Sequence, residues 1–461
     1  MHSLSIFGTG SDAGKSTMAM ALCRLLHEAG YRVAPFKAQN VSNNARIGID
    51  GCEIAQAQSF AAEACGCPQT YHLNPILLKS GAQGKASIIL NGKSAEEVGV
   101  AEYYAGLEAK KPLVDAAFEY LQAQFDIVVA EGAGSPVELN LMEKDLSNLY
   151  VAERFGTKIV LVADIERGGV FASVWGVYNL LPEPLKANVI GVIINKFRGD
   201  LAFFDDGVTI IEERFGLRVL GVVPYLPLNL GFEDIQSLEQ YRQNSGNALI
   251  DVAVIRLPHL SNFTDFEPLI NDDQLQVRFI TRPGQIADAS VLILPGTRRT
   301  MEDLAWLRER GFEPLVKNRS RTLIAVCGGY EMLFERLVDE EGIETQGSME
   351  GLGMIKGEIR FEKAKVQRSG SCELFGHTLQ GYEIHHGISP GHPLGYRESG
   401  LYGTFLHGLF DNDAWRNALF ASLHPDYRPF DYRAFRESRI ADFAEGVRAH
   451  LDLDDLIQRL Q

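Results

Sequence analysis

The side chains best suited to chemistry in this chain open with Gly8-Thr9-Gly10-Ser11-Asp12-Ala13-Gly14-Lys15-Ser16-Thr17. Glycines let backbone N–H groups approach a phosphate, a lysine reaches its outer oxygens, and a hydroxyl can coordinate Mg2+. Thr9, Gly10, Gly14, Lys15, Ser16 and Thr17 are therefore candidate ATP-binding residues. The strict G-x4-G-K spacing would place glycine at position 9, where Thr9 stands, and Gly8 is one residue too early. Magnesium needs further oxygen ligands. Glu131, in AEGAGSP, leaves a hydrophobic run straight into a glycine turn, a poor place for burial and a good one for a metal. Asp164, in VADIERGG, ends another such run. Lys37, Gln39, Asn40, Asn43 and Arg167 crowd neighbouring loops and could hold an anionic ligand rich in hydrogen-bonding groups; ordinary turn bonding is the plainer reading of each.

A second chemistry belongs to Cys327. TLIAV runs into Cys327-Gly328-Gly329-Tyr330-Glu331, a buried strand, a thiol, two glycines and the start of a helix. Such a turn exposes a nucleophile, and the backbone N–H after it, at Gly328, can face a developing oxyanion. Gly296, closing SVLILPG, is a candidate second donor. The base candidate is His407 in GTFLHGLF, with His385 and His386 of GYEIHHG as rivals. A buried core cysteine is the bland alternative, but packing alone does not explain two glycines directly after it.

These groups need elements that bring them to one edge. Apolar runs at 4–7, 32–36, 126–134, 158–164, 188–195 and 218–224 read as buried strands, and residues from about 15 to 29 as a helix. Val/Ile/Leu runs separated by helices predict a mainly parallel sheet covered on both faces. Periodicity weakens over 230–249, and runs resume at 251–257, 276–280, 290–296 and 322–329. The fold class is thus α/β twice over: an N-terminal P-loop domain over 1–232, a linker over 233–249, and a second α/β domain over 250–461.

At 461 residues with 46% hydrophobic and 23% charged side chains, the chain suits two globular domains. A net charge of −16 speaks against a general nucleic-acid binder. No run approaches the roughly 18 to 20 apolar residues of a spanning helix, so no membrane insertion is expected. The start of the chain lacks the pattern of a signal peptide. The six cysteines form neither a disulfide nor a zinc framework, which fits a reducing cytoplasm.

The loop with one extra residue resembles the dethiobiotin synthetase-like branch of P-loop enzymes. More broadly, GTGSDAGKST, FKAQNVSNN, EIAQAQ, EGAGSPVELNL, DIERGGVFAS, INKFRGD, LPGTRRTMEDLAWLRERG, CGGYEML, GYEIHHG and GTFLHGLFDND occur in an order that resembles the class I glutamine amidotransferases, in their cobyric acid and cobyrinate diamide synthase branch. FKAQNVSNN is more similar to the cobyric acid synthase side. The resemblance implies a glutamine-hydrolysing ligase using ATP and Mg2+. It would amidate four peripheral carboxylates (b, d, e, g) of adenosylcobyrinic acid a,c-diamide, with glutamine and an anionic corrinoid as partners. It also promotes Glu53, by itself a solvated acid near a helix start, to a metal ligand beside Ser16 and Glu131. Asn195 and Pro224 become purine-binding positions, although Asn195 alone would read as a helix cap.

Departures stand out against that background. Most class I members carry glutamate two residues after the histidine, where this chain has Leu409, so the resemblance implies a Cys327–His407 dyad with no orienting group identified. Glu331 stands where glutamine is usual, and Glu166 where aspartate is. The diamide-forming relatives are the nearest rival. A switch ATPase of the MinD/ParA type is remote, because residues 8–13 lack the early loop lysine. A scaffold with a dead glutaminase is disfavoured by Cys327 and His407 together.

Overall fold

A computed structural model describes residues 2–80, 85–228, 230 and 248–461. The linker expected over 233–249 lies outside these except for residues 248 and 249. The chain forms two compact units.

The first unit comprises Met1–Ser42, Gly48–Leu228 and Arg436–Gln461. Its central sheet has six strands in the order Val219–Pro224, Val189–Phe197, Lys158–Asp164, His2–Gly8, Ile127–Glu131 and Val33–Phe36. All neighbours are parallel, as the unbroken apolar runs predict. Ile6 faces Glu131 across one ladder, Asp164 faces Asn195 across another, and Phe197 faces Pro224 across a third. Parallel register therefore delivers Gly8, Glu131, Asp164, Asn195 and Pro224 to one edge, the carboxyl edge where α/β sheets bind ligands. Phe7, Leu161 and Ile194 are fully buried in the core beneath it.

Two parts of this unit carry no such signal in sequence. Gln39–Val41, Ile76–Ser80, Lys85–Leu90 and Lys93–Gly99 build a smaller sheet with antiparallel pairs. The C-terminal helix Leu453–Leu460 also belongs here, burying Leu456 and Leu460. Arg218 anchors that end, its guanidinium bonding Asp455 at 2.8 Å and Asp452 at 3.2 Å.

The second unit comprises Asn43–Ile47 and Asn229–Phe435. Its main sheet runs Leu275–Ile280, Ile250–Ile255, Val291–Leu294, Thr322–Val326, Leu401–Thr404 and Gly395–Glu398, parallel except for the last strand. Leu294 faces Ala325 and Val326 faces Thr404, so the loops holding Gly296, Cys327 and His407 leave three adjacent strands at the same edge. A second sheet contains the long hairpin Ile355–Leu374 and His377–Ile388. Among the described residues, no helix is long and apolar enough to cross a membrane.

Candidate functional site

In the first unit, strand His2–Gly8 passes through the glycine loop into the helix Lys15–Glu28. Gly14 precedes the helix at φ 93°, a left-handed conformation that glycine adopts without a Cβ penalty. A Cβ there would also collide with the Asn195 side-chain amide. Asn195 donates that amide to the Ala13 carbonyl at 3.0 Å, so it braces the loop rather than capping a helix. Gly14 has no side chain to cap this helix start, and a helix N-terminus after a glycine loop suits an anionic ligand. Lys15 folds back over the loop, its ammonium donating to the Gly10 carbonyl at 3.3 Å. Thr17 bonds the Gly14 carbonyl, and Thr9 donates its N–H to Val162.

Glu131 is the centre of this edge. Its Oε1 accepts from the Ser16 hydroxyl at 2.6 Å and from the Lys37 ammonium at 2.7 Å, and its Oε2 from Gln58 at 3.3 Å. Gln58 in turn accepts from Asn40 at 2.9 Å. Gln39 accepts from the Tyr103 hydroxyl at 2.5 Å. Ser16 and Glu131 are hard oxygen donors held together, which suits the sparse protein ligation of Mg2+ beside phosphates. Glu53 is fully buried rather than solvated, and its carboxylate pairs with Lys79. Asp164 pairs with Lys196 at 3.0 Å, and Arg167 with Asp12 at 3.0 Å. Asn43 is not part of this group; it belongs to the second unit, where Arg298 donates to its Oδ1. Pro224 ends its strand, and the next residue, Tyr225, lies under the Arg198 guanidinium at 3.8 Å from the ring centroid.

A cavity of about 110 Å3 opens beside Gln39, Tyr104, Ser135, Lys144 and Asp145. That is well below the 300–1,000 Å3 of a pocket enclosing a whole drug-sized ligand, so it suits one arm of a larger molecule.

In the second unit, Cys327 sits at φ 52°, ψ −116° between its strand and the short helix Gly328–Glu331. A non-glycine residue at positive φ is strained, and such strain at a strand-to-helix turn is the nucleophile-elbow geometry. Both following glycines are required by space. A Cβ at Gly328 would press on Thr297, and one at Gly329 would run into the Leu294 carbonyl.

Gly296 lies against both reactive groups: a Cβ there would be 3.2 Å from His407 Cε1 and 3.6 Å from Cys327 Cβ. His407, buried, bonds Asp265 Oδ2 through Nδ1 at 2.7 Å, and Gly408 donates its N–H to Asp265 Oδ1 at 3.0 Å. A carboxylate on Nδ1 selects the tautomer that leaves Nε2 for the thiol. Burial alone would lower the imidazole, but the Asp265 and Cys327 charges outweigh it and push His407 up to about 10. The expected dyad thus acquires a third member, Asp265, 142 positions before the histidine. The rival histidines are otherwise engaged. His385 is buried on the Phe405 ring with Nδ1 at the Gly387 carbonyl, and His386 faces the Glu362 carbonyl.

Glu331 lies behind the turn, accepting from the Thr300 hydroxyl at 2.6 Å. Glu344 accepts the Thr300 and Met301 N–H groups at 3.0 and 2.9 Å. Burial raises the Glu331 carboxyl, and burial with Glu331 nearby pushes Glu344 up to about 8.

Sequence reasoning missed Asp265, Gln58 and Lys79. A weak signal for Asp265 exists: it stands in SNFTDFEPLI, a run buried throughout, and an acid among phenylalanines there needs a partner.

Two family models match this chain. Residues 4–229 match the CobQ/CobB/MinD/ParA nucleotide binding domain, and residues 251–415 the CobB/CobQ-like glutamine amidotransferase domain. A cobyric acid synthase of Acinetobacter baylyi is 50% identical, the match covering 100% of both chains. One from Roseiflexus castenholzii is 39% identical over 94% of this chain and 95% of its own. Another from Photorhabdus laumondii is 37% identical over 99% and 97%.

Proposed function

The chain belongs to the cobyric acid synthase family, glutamine-dependent ligases that amidate corrinoids in cobalamin biosynthesis, and we propose on that footing that it converts the b, d, e and g carboxylates of adenosylcobyrinic acid a,c-diamide to amides. The observation that supports this most is that one chain holds two side-chain clusters suited to these chemistries: Ser16 and Lys37 on Glu131 with Lys15 over the glycine loop, and Cys327 with His407 and Asp265.

A carboxylate cannot expel oxide, so it must first be activated. The carboxylate oxygen attacks the γ-phosphorus of ATP, the bond to ADP breaks, and an acyl phosphate forms. Lys15 neutralises charge on the transferring group, and Lys37 orients the substrate carboxylate or the phosphate. Mg2+, held by Ser16 and Glu131 with Glu53 a further candidate, would offset phosphate charge when bound. Asn195 and Pro224 border the purine. Gln39, Asn40, Asp164 and Arg167 serve the anionic substrate and its phosphate. Ammonia then displaces phosphate, giving amide, ADP and phosphate.

The nitrogen comes from the second centre. Cys327 Sγ, its proton already held on His407 Nε2, attacks the glutamine carboxamide carbon, and Asp265 stabilises the imidazolium. Gly296 and Gly328 N–H groups face the oxyanion. His407 returns the proton to the departing ammonia, and water cleaves the thioester to glutamate. The six free cysteines support a reducing compartment, which we take to be the cytoplasm.

Product mass tests the assignment. Purified enzyme with ATP, Mg2+ and glutamine is expected to shift the diamide substrate by four carboxylate-to-amide replacements. A chain that instead accepts cobyrinic acid and stops after two replacements is the diamide-forming relative, and the assignment is then wrong.

A further inference from the structure

Residues 43–47 group with the second unit, although the chain on both sides of them groups with the first. Contacts with the rest of that unit help to hold this segment. Arg298 donates to Asn43 Oδ1, the Ala45 N–H points at Asn262 Oδ1 at 3.4 Å, and the Arg46 guanidinium lies over the Tyr382 ring at 5.6 Å from its centroid.

All three land next to the glutaminase centre. Arg298 follows Gly296 by two residues, and Asn262 precedes Asp265 by three. Asn262 is held at φ 51° and donates its amide to the Tyr382 hydroxyl at 3.2 Å. Tyr382, itself buried, stacks on the His407 ring with centroids 5.2 Å apart and planes at 20°. The two residues also exchange backbone hydrogen bonds, 3.2 Å one way and 2.8 Å the other. His407 is thus fixed at one ring nitrogen by Asp265 and across its ring by Tyr382.

We infer that Arg46 is a positioning residue for the glutaminase base, its cation over Tyr382 holding the ring on which His407 stacks. This rests on the Cys327–His407–Asp265 assignment. A guanidinium over a tyrosine face is attracted to the ring electrostatically, which biases the ring orientation. Lys37 and Asn40, a few residues earlier, belong to the Glu131 network of the first unit, so one short run of sequence serves both chemistries. A glutaminase defined as residues 250–461 would lack this brace.

The test uses full-length protein and glutamate release without corrinoid, so it reads independently of which carboxylates are amidated. Arg46→Met is expected to lower kcat for glutamine about three- to tenfold. KM is expected to stay within about twofold, because no glutamine contact is removed. Arg46→Lys, which keeps a cation, is expected to recover most of the rate. Ammonium-driven amidation is expected to be unchanged in both. Arg46→Gln, polar but uncharged, gives the same reading should the methionine variant fold poorly. Wild-type kcat in the Met and Gln variants, a change confined to KM, or a Lys variant as slow as Gln would each overturn the inference.

Discussion

The two candidate reaction centres of this chain are built by opposite means. At the first unit's sheet edge, one carboxylate collects its partners: Ser16, Lys37 and Gln58 all point at Glu131. At the second unit's edge the backbone does the arranging. Cys327 is held at positive φ, Gly329 is pressed against the Leu294 carbonyl, and Asp265 fixes His407. A centre that receives a polyanion can be organised by side-chain charges the ligand will rearrange. A centre that attacks a neutral amide must hold its nucleophile and base in place beforehand.

The largest expected effect falls on the pre-set centre. Asp265→Asn keeps the shape but removes the charge that selects the tautomer, and should cut glutamine turnover about 10^3- to 10^4-fold. Ammonium-supported amidation should remain, and a variant that loses both would show that Asp265 serves folding instead. The same variant separates a pH effect. With His407 raised to about 10, above its ordinary value, its stabilising contribution is fully present below about pH 6.5. That contribution disappears as pH climbs through about 10, so wild type should lose melting temperature over that span and Asp265→Asn should lose less.

At the charge-organised centre, Glu131→Gln should slow amidation about 10^2- to 10^3-fold with either nitrogen source while leaving glutamate release intact. Equal loss of glutaminase activity would break the comparison. Next in size is Lys79→Met, which strips the buried Glu53 carboxylate of its ammonium partner. Chemical denaturation should show about 3 kcal/mol of destabilisation, partly recovered by adding Glu53→Gln. If Lys79→Met is fully stable yet loses Mg2+-dependent activity, Glu53 is a ligand and not a structural acid.

The smallest effect is expected from Glu331→Gln. Burial already raises this carboxyl, and glutamine preserves its shape and its acceptor for Thr300. Glutaminase kcat should change less than about threefold. Because a raised carboxyl costs stability as it ionises, the variant should lose less stability than wild type as pH rises above the ordinary carboxylate range. A variant that is slow at neutral pH would assign Glu331 a chemical role.

Much of this was readable from the chain alone, for a physical reason. Gly14, Gly328 and Gly329 betray tight turns locally, and Glu131, Gly296 and Cys327 each end an apolar strand, so neighbours in sequence disclose their setting. His407 is marked as a candidate by its flanking glycines. Asp265 is not, because its meaning comes from a partner on another strand's loop, and Leu409 leaves the orienting group unidentified. Gln58 and Lys79 escaped for the same reason: each is an ordinary polar residue until folding sets it beside Glu131 or Glu53. Residues 436–461 join the first unit through pairs far apart in the chain, such as Arg218 with Asp452 and Asp455 and Glu63 with Arg436, which no local pattern announces.

The most direct measurement compares wild type with Cys327→Ala, each given ATP and the diamide corrinoid with either glutamine or ammonium, scoring ADP, glutamate and amide mass. Loss of glutamine-supported amidation with ammonium-supported amidation retained is the expected result, since only the second centre has been disabled. Amidation from glutamine at the wild-type rate, or loss of activity with both nitrogen sources in a folded variant, would contradict a ligase fed by its own cysteine glutaminase.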